Sequence, residues 1–280
     1  MRIVMDGGGD LPLGWAEEYG IDVVPINIHF KDKVFLQGID LSDEEFYRLA
    51  ELNREIPKTS QPSPQQFIDF YEKIAHPGET ILSIHISSKL SGTFNSAVLA
   101  AKELAERIKI LPYDSGTGSA ALGLMCREAR IMERAGVTVQ TILDRLNFIS
   151  KNHSIVLTLD NLDYAFRSGR VKALQAALAS LLKVKPIAAL REGTLLMVER
   201  VRTRQRALEM ILQMTAESMG RRKVIVAVVQ ARDLPAGLNL MQRVRETLNC
   251  QEIIMTDLSI GVAANLGPGT IGIVAYPVEE

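Results

Sequence analysis

A chain of 280 residues, 47% of them hydrophobic, is long enough to bury one large core or two modest ones. Its formal charge of −1, with acids and bases interspersed, excludes the basic footprint of a nucleic-acid binder, and no apolar run approaches the roughly 20 residues that span a bilayer. The opening "MRIVMDGGGDLP" does not read as a signal peptide, and two distant cysteines without CxxC spacing, Cys126 and Cys250, suit a reduced, cytoplasmic setting.

In chain order, "RIVMD" reads as a strand. The turn "GGGDLP" follows, with Asp10 capping a short helix through Trp15, and "VVPINIHF" reads as a second strand. "SDEEFYRLAEL" opens a helix on the capping box Ser42/Glu45. "SPQQFIDFYEKI" opens another, with Ser63 as N-cap, Pro64 at the first helical position and Gln66 at the third. "ETILSIHIS" carries Leu82, Ile84 and Ile86 at period two and predicts a strand. Ala97, Ala100, Ala101, Leu104 and Ile108 then recur at helical spacing. "IKILPYD" predicts a strand, and helices are expected over about 117–135 and 138–151. Strands separated by helices argue for a parallel sheet.

From about residue 154 the pattern changes. "SIVLTL" predicts a strand, and a helix runs through "VKALQAALASLLK". "KPIAAL" and "LLMVERV" form a hairpin turning at Glu192-Gly193. A long helix over "RTRQRALEMILQMTAESM" stops at Gly220. "KVIVAVVQA" is a strand, "AGLNLMQRVRETL" a helix, and "EIIMTDL" and "TIGIVAYPV" close as strands; Cys126 and Cys250 both fall in predicted helices. The expected architecture is α/β: an N-terminal parallel-sheet domain over 1–152 and a mixed α+β domain over 153–280, with an approximate boundary that allows for discontinuity.

Hydroxyls crowd two helix starts. Ser87, Ser88, Ser91 and Thr93 lie where a strand ends and a helix begins, and a free helix N-terminus with its amides suits an anion. One N-cap serves one helix, so the cluster exceeds what capping requires. Thr59 and Ser60 lie in a loop upstream of Ser63. Were both helix starts at strand carboxyl ends of one sheet, the loops would face each other across a crevice and hold an anion without any strong base.

Other motifs carry less chemistry. "GPGTIG" at 267–272 precedes a strand rather than a helix and reads as a tight turn, and no GxxxxGK[ST] loop occurs. His29, His76, His85 and His153 lack metal-ligand spacing, and His85, on a strand face with Ser83 and Ser87, reads as a satisfied interior histidine. Asp6 and Asp10 read as a strand end and a cap rather than a cation site. No nucleophile elbow is present. Arg202 and Arg204 read either as solvated helix residues or as an exposed basic edge for a phosphate or acidic partner. From residues alone, a carrier of an anionic ligand and a phosphate-utilising enzyme acting on a small metabolite both stand.

The ordered motifs "TSQPSP", "SSKLSGTFNSA", "LDYAFRSGRV", "LLKVKPI", "VRTRQRAL" and "GPGTIG", with "VMDGGGDLP" and "VVPINIHF" before them, resemble the DegV family of fatty-acid-binding proteins across essentially the whole chain. The resemblance implies a two-domain protein that is not itself an enzyme. It would use no cofactor or metal and enclose one long-chain fatty acid, of about 14–18 carbons, between its domains. It also implies presentation of the carboxylate to a separate fatty-acid kinase. By motif position, Thr59 and Ser91 would bond the carboxylate, with Ser60, Gly92, Thr93 and Asn265 nearby; Arg170 and Arg202 match basic positions, Arg202 being the candidate for the kinase or phosphate. Three positions depart from the family pattern: Gly7 for a serine, Ser168 for a glycine, and Asn265 for a histidine. Asparagine donates a hydrogen bond but carries no proton near neutral pH, so the departure bears on phosphoryl handover more than on carboxylate binding.

Overall fold

The computed structural model describes residues 1–53, 56–160, 162–172 and 184–279. It divides into two compact units, Met1–Asn147 with Ser259–Val262, and Phe148–Leu258 with Ala263–Glu280.

In the first unit, β1 (Arg2–Asp6), β2 (Ile21–Val24), β6 (Thr80–His85) and β7 (Lys109–Asp114) form a parallel sheet in the order β2-β1-β6-β7. Helices α3 (Pro64–Ile74) and α4 (Thr93–Glu103) supply Phe67, Tyr71, Ala97 and Ala100 to a core with Val4, Val24 and Ile81. Ser63 caps α3 as its sequence predicts, its hydroxyl accepting from the Gln66 N–H while the Gln66 side chain takes the Ser63 N–H. For α2 (Asp43–Asn53), the Ser42 hydroxyl accepts the Glu45 N–H, but the Glu45 carboxylate turns outward to Arg48.

"VVPINIHF" is not one strand. It breaks at Pro25, which has no N–H to give a sheet ladder, into β2 and β3 (Asn27–Phe30), and β3 belongs to a different sheet. That sheet is antiparallel, ordered β4-β3-β5, with β4 (Lys33–Leu36) and β5 (Lys58–Ser60). The β3–β4 hairpin turns through Lys31 at φ +50°, so the glycine or asparagine that usually announces such a turn is missing.

Helix α1 (Trp15–Tyr19) starts after Gly14, not at Asp10. Asp10 instead accepts the Ser119 hydroxyl and the Ser259 N–H, and the Ser259 hydroxyl reaches the Gly7 carbonyl. Helix α5 (Ser119–Arg134) passes so close to this turn that a β-carbon on Gly123 would overlap the Asp10 carbonyl oxygen. Alanine exceeds glycine in helix propensity by about 1 kcal/mol. Gly123→Ala is nonetheless expected to destabilise by about 1–3 kcal/mol, because backbone must yield; a urea midpoint at or above wild type would contradict this.

Helix α6 (Val139–Asn152) leads into the second unit, whose mixed sheet runs β13-β12-β14-β8-β10-β11-β9. Its strands are β8 (Ser154–Thr158), β9 (Val171–Lys172), β10 (Lys185–Arg191), β11 (Thr194–Val201), β12 (Val224–Gln230), β13 (Cys250–Asp257) and β14 (Ile271–Pro277). Val224, Val226 and Val228 alternate with their neighbours, as do Ile271, Ile273 and Ala275. These faces pack on Ile211 of α8 (Arg204–Met219) and on Leu240 and Val244 of α9 (Leu234–Thr247). The β10–β11 hairpin turns at Glu192-Gly193, both at positive φ. α8 starts two residues later than predicted, capped by the Thr203 hydroxyl. Cys250 lies in a strand, not a helix. Of the helix predicted over 171–183, Val171 and Lys172 form a strand beside β11 after the short helix α7 (Leu162–Ser168), and 173–183 fall outside the described residues. Helix α10 (Ile260–Leu266), too short for a periodic signal, precedes the turn that holds Gly267 and Gly269 at positive φ.

Candidate functional site

The hydroxyl loop of the first unit follows β6. Ser87, buried, donates its N–H to Thr117 O at 2.8 Å and accepts the Leu90 and Ser91 N–H groups on its carbonyl, folding the loop back on itself. The Ser88 N–H lies 3.2 Å from the Asp114 carboxylate at the end of β7. Helix α4 then starts from Gly92, an N-cap residue with no side chain of its own to offer the helix. Ser91 stands at this start: its hydroxyl is 2.8 Å from the Thr93 hydroxyl and accepts the Thr93 N–H at 3.3 Å. Thr93 is buried, whereas Ser91 is half-buried. A helix start with a serine hydroxyl and positive dipole end suits a carboxylate or phosphate.

Thr59 and Ser60 do not occupy a loop on the parallel sheet; they form the end of β5, on the small antiparallel sheet. Register places Thr59 opposite Ile28 and Ser60 opposite Asn27, so period-two alternation sends the two hydroxyls to opposite faces. The Ser60 hydroxyl bonds His29 Nε2 at 2.8 Å on one face, and Thr59 shares the other with buried Ile28. The two motifs nevertheless meet. A β-carbon on Gly92 would come within 2.7 Å of Gln61 Nε2, so "TSQPS" and "LSGT" touch through Gln61 and Gly92. Gln61 lies within "TSQPSP" but carries no capping or period signal of its own in the sequence. Asn27 orders the same corner, donating to Gln61 O at 3.2 Å.

His85 is fully buried, between Ser83 at 2.8 Å and Asp6 at 3.0 Å, as an interior histidine should be. Gly7, where the resemblance implies a serine, has no room for a side chain: the end of Gln37 fills that space and donates to the Gly7 carbonyl at 3.2 Å. Burial raises the Asp10 carboxyl to about 6, against hydrogen bonds from Ser119 and Ser259.

In the second unit, Asn265 lies near the end of α10, half-buried. Its carbonyl and that of Ala165 each lie 3.1 Å from the Ser168 hydroxyl, which also accepts the Arg170 N–H at 3.3 Å. Ser168, in place of a glycine, thus ties the end of α7 to α10. Arg170 is exposed, its guanidinium 2.6 Å from the Ser168 carbonyl. Arg202 is exposed just past β11, at the opposite end of that strand from the Leu195–Leu196 pairing with β9. Arg204 is paired with Asp233 at 2.9 Å. Among the described residues no three His, Cys, Asp or Glu gather as metal ligands, and no helix is long and apolar enough to cross a membrane.

These features define an α/β protein with an anion-suited helix start. Residues 1–278 match the family described as "Uncharacterised protein, DegV family". A DegV domain-containing protein of Halalkalibacterium halodurans is 31% identical over 278 residues, covering 99% of this chain and 98% of its own. A fatty acid-binding protein of Thermotoga maritima is 30% identical, covering 97% and 96%. The structure of a DegV family protein from Thermus thermophilus, reported for its fatty acid binding, superposes with a TM-score of 0.90 at 30% identity, covering 99% of this chain and 100% of that one. The chain belongs to the DegV family, and its fold is the DegV fold.

Proposed function

We propose that this chain binds one long-chain fatty acid, holds its carboxylate with Thr59 and Ser91 at the start of α4, and presents it to a fatty-acid kinase. The observation that carries the reading is the contact of Gln61 with Gly92, which brings the threonine strand to the helix start where the Ser91 hydroxyl stands. Fatty acid binding in the Thermotoga and Thermus relatives supports the ligand class. Each buried methylene contributes about 0.8 kcal/mol, so the tail supplies most of the affinity. A carboxylate leaving water needs donors in exchange, and each hydrogen bond to a charged group returns roughly 1.5–3 kcal/mol. Hydroxyls and helix-start amides therefore set orientation. Exposed Arg202 is the proposed contact for the kinase or the transferred phosphate.

Organic extraction of the freshly purified protein followed by mass spectrometry tests the ligand: fatty acids should appear, whereas a co-purified sugar phosphate or nucleotide would favour an enzyme acting on a small metabolite. Replacing Thr59 and Ser91 together by alanine should leave a folded protein whose oleate affinity falls roughly tenfold to a hundredfold. Unchanged affinity would remove these residues from the site.

A further inference from the structure

Four buried polar groups that this reading leaves unused lie in one line. Tyr71, Ser83, His85 and Asp6 are each fully buried. The Tyr71 hydroxyl is 2.8 Å from Ser83 Oγ, Ser83 Oγ is 2.8 Å from His85 Nε2, and His85 Nδ1 is 3.0 Å from Asp6 Oδ2. Asp6 Oδ2 also accepts the Ile86 N–H at 2.9 Å, and Oδ1 accepts the Gly8 N–H at 2.8 Å. Serine, histidine and aspartate in that order match a nucleophile with its base, but Ser83 is enclosed and already flanked by Tyr71 and His85. No substrate reaches it.

The chain has a direction. Both oxygens of Asp6 already accept backbone N–H groups, so the carboxylate serves as an acceptor and Nδ1 of His85 donates to it. With the ring neutral, Nε2 then accepts from the Ser83 hydroxyl, and the Ser83 oxygen accepts from Tyr71. Every donor in the line has its acceptor. Burial raises the Tyr71 pKa, which keeps the terminal proton in place. A second proton on Nε2 would reverse the serine and the tyrosine and turn the Tyr71 O–H away from the line.

Both ends of the line lead to the carboxylate site. Asp6 holds Gly8 in the glycine turn and Ile86 at the start of the loop that carries Ser91. Tyr71 lies on α3, whose cap Ser63 follows the Thr59 strand by three residues. We propose that His85 and Asp6 are positioning residues for the ligand carboxylate, the ordered line from Tyr71 fixing the Nδ1–H form of His85 and, through Asp6, the place of the Ser91 loop. The inference rests on the carboxylate reading above.

Two measurements decide it. In the folded protein with 15N-labelled histidine, the His85 ring is expected to carry its proton on Nδ1 alone at neutral pH; a proton on Nε2 alone would overturn the ordering. In a double-mutant cycle, His85→Gln should weaken oleate binding about tenfold in the wild-type background and less than about twofold beside Ser91→Ala, because its effect passes through Ser91. Tyr71→Phe, which removes one hydroxyl and keeps the ring, serves as the second member of the cycle should His85→Gln fail to fold, and should show the same dependence on Ser91. Equal losses in both backgrounds, or none, would leave the line a purely structural feature and overturn the proposal. Wild-type affinity in Ser91→Ala alone would instead overturn the carboxylate reading on which it depends.

Discussion

Replacing Arg130 by alanine is expected to destabilise the protein by about 3–5 kcal/mol. Arg130 on α5 is 9% exposed, and its guanidinium makes four hydrogen bonds. Nε donates to Tyr19 O and Nη2 to Gly20 O, both at 2.8 Å, capping the last carbonyls of α1. Nη1 reaches Met1 O at 3.0 Å and Glu133 at 2.8 Å. Helix-end carbonyls carry partial negative charge, so a planar cation with several donors fits them well. Lysine has no fork and cannot serve the neighbouring carbonyls at once, so Arg130→Lys should recover less than half of the loss. The exposed Arg48–Glu45 pair makes a useful control. Solvent screens it, and Arg48→Ala should leave the urea midpoint unchanged. An Arg130→Ala protein that unfolds at the same urea concentration as wild type would refute the assignment.

The second large effect concerns pH. Asp10 is buried without a cation among its hydrogen-bond partners, and its carboxyl is raised from 3.8 to about 6, chiefly by loss of hydration; Asp43 adds a smaller push upward. Below about pH 4 the folded and unfolded chains both hold the proton, and the group contributes nothing to stability. Between about 4 and 6 the unfolded chain releases it while the folded chain retains it, so stability falls as pH rises. Above about 6 the deficit is constant, on the order of 3 kcal/mol. Asp10→Asn keeps an acceptor for the Ser259 N–H and removes the titration. The variant should match wild type near pH 4 and exceed it by about 2–3 kcal/mol at pH 8, measured by urea unfolding at each pH. Two curves that stay parallel from pH 4 to 8 would show that Asp10 ionises as freely in the fold as outside it.

Local features were the legible ones. Ser63, Pro64 and Gln66 act within one helical turn, so three letters suffice to place the start of α3, and Glu192-Gly193 places a hairpin by itself. What stayed hidden depends on distant partners. Lys58–Ser60 is a three-residue strand with no pattern of its own; it exists because β3, some thirty positions earlier, offers it an edge. Its two hydroxyls read as a pair from sequence, and only the strand register separates their directions. Asp10 resembled a cap because aspartate before a helix usually is one, and nothing nearby announced Ser119 or Ser259. The strand-to-helix junction that carries Ser91 was legible, because the period-two run before it and the helical spacing after it are both local. Its neighbour Gln61 was not, because a glutamine beside a glycine across thirty residues leaves no trace in either segment.

Ser259–Val262 belongs to the first unit although the chain on either side of it belongs to the second. During synthesis on the ribosome, the first 147 residues emerge long before this segment does. Until it arrives, Asp10 lacks the Ser259 amide and Gly7 lacks the Ser259 hydroxyl. The N-terminal half is therefore born without these two contacts, and a fragment ending at residue 147 would lack them along the glycine turn. An expression plasmid for a self-contained first unit would have to splice the late segment back in.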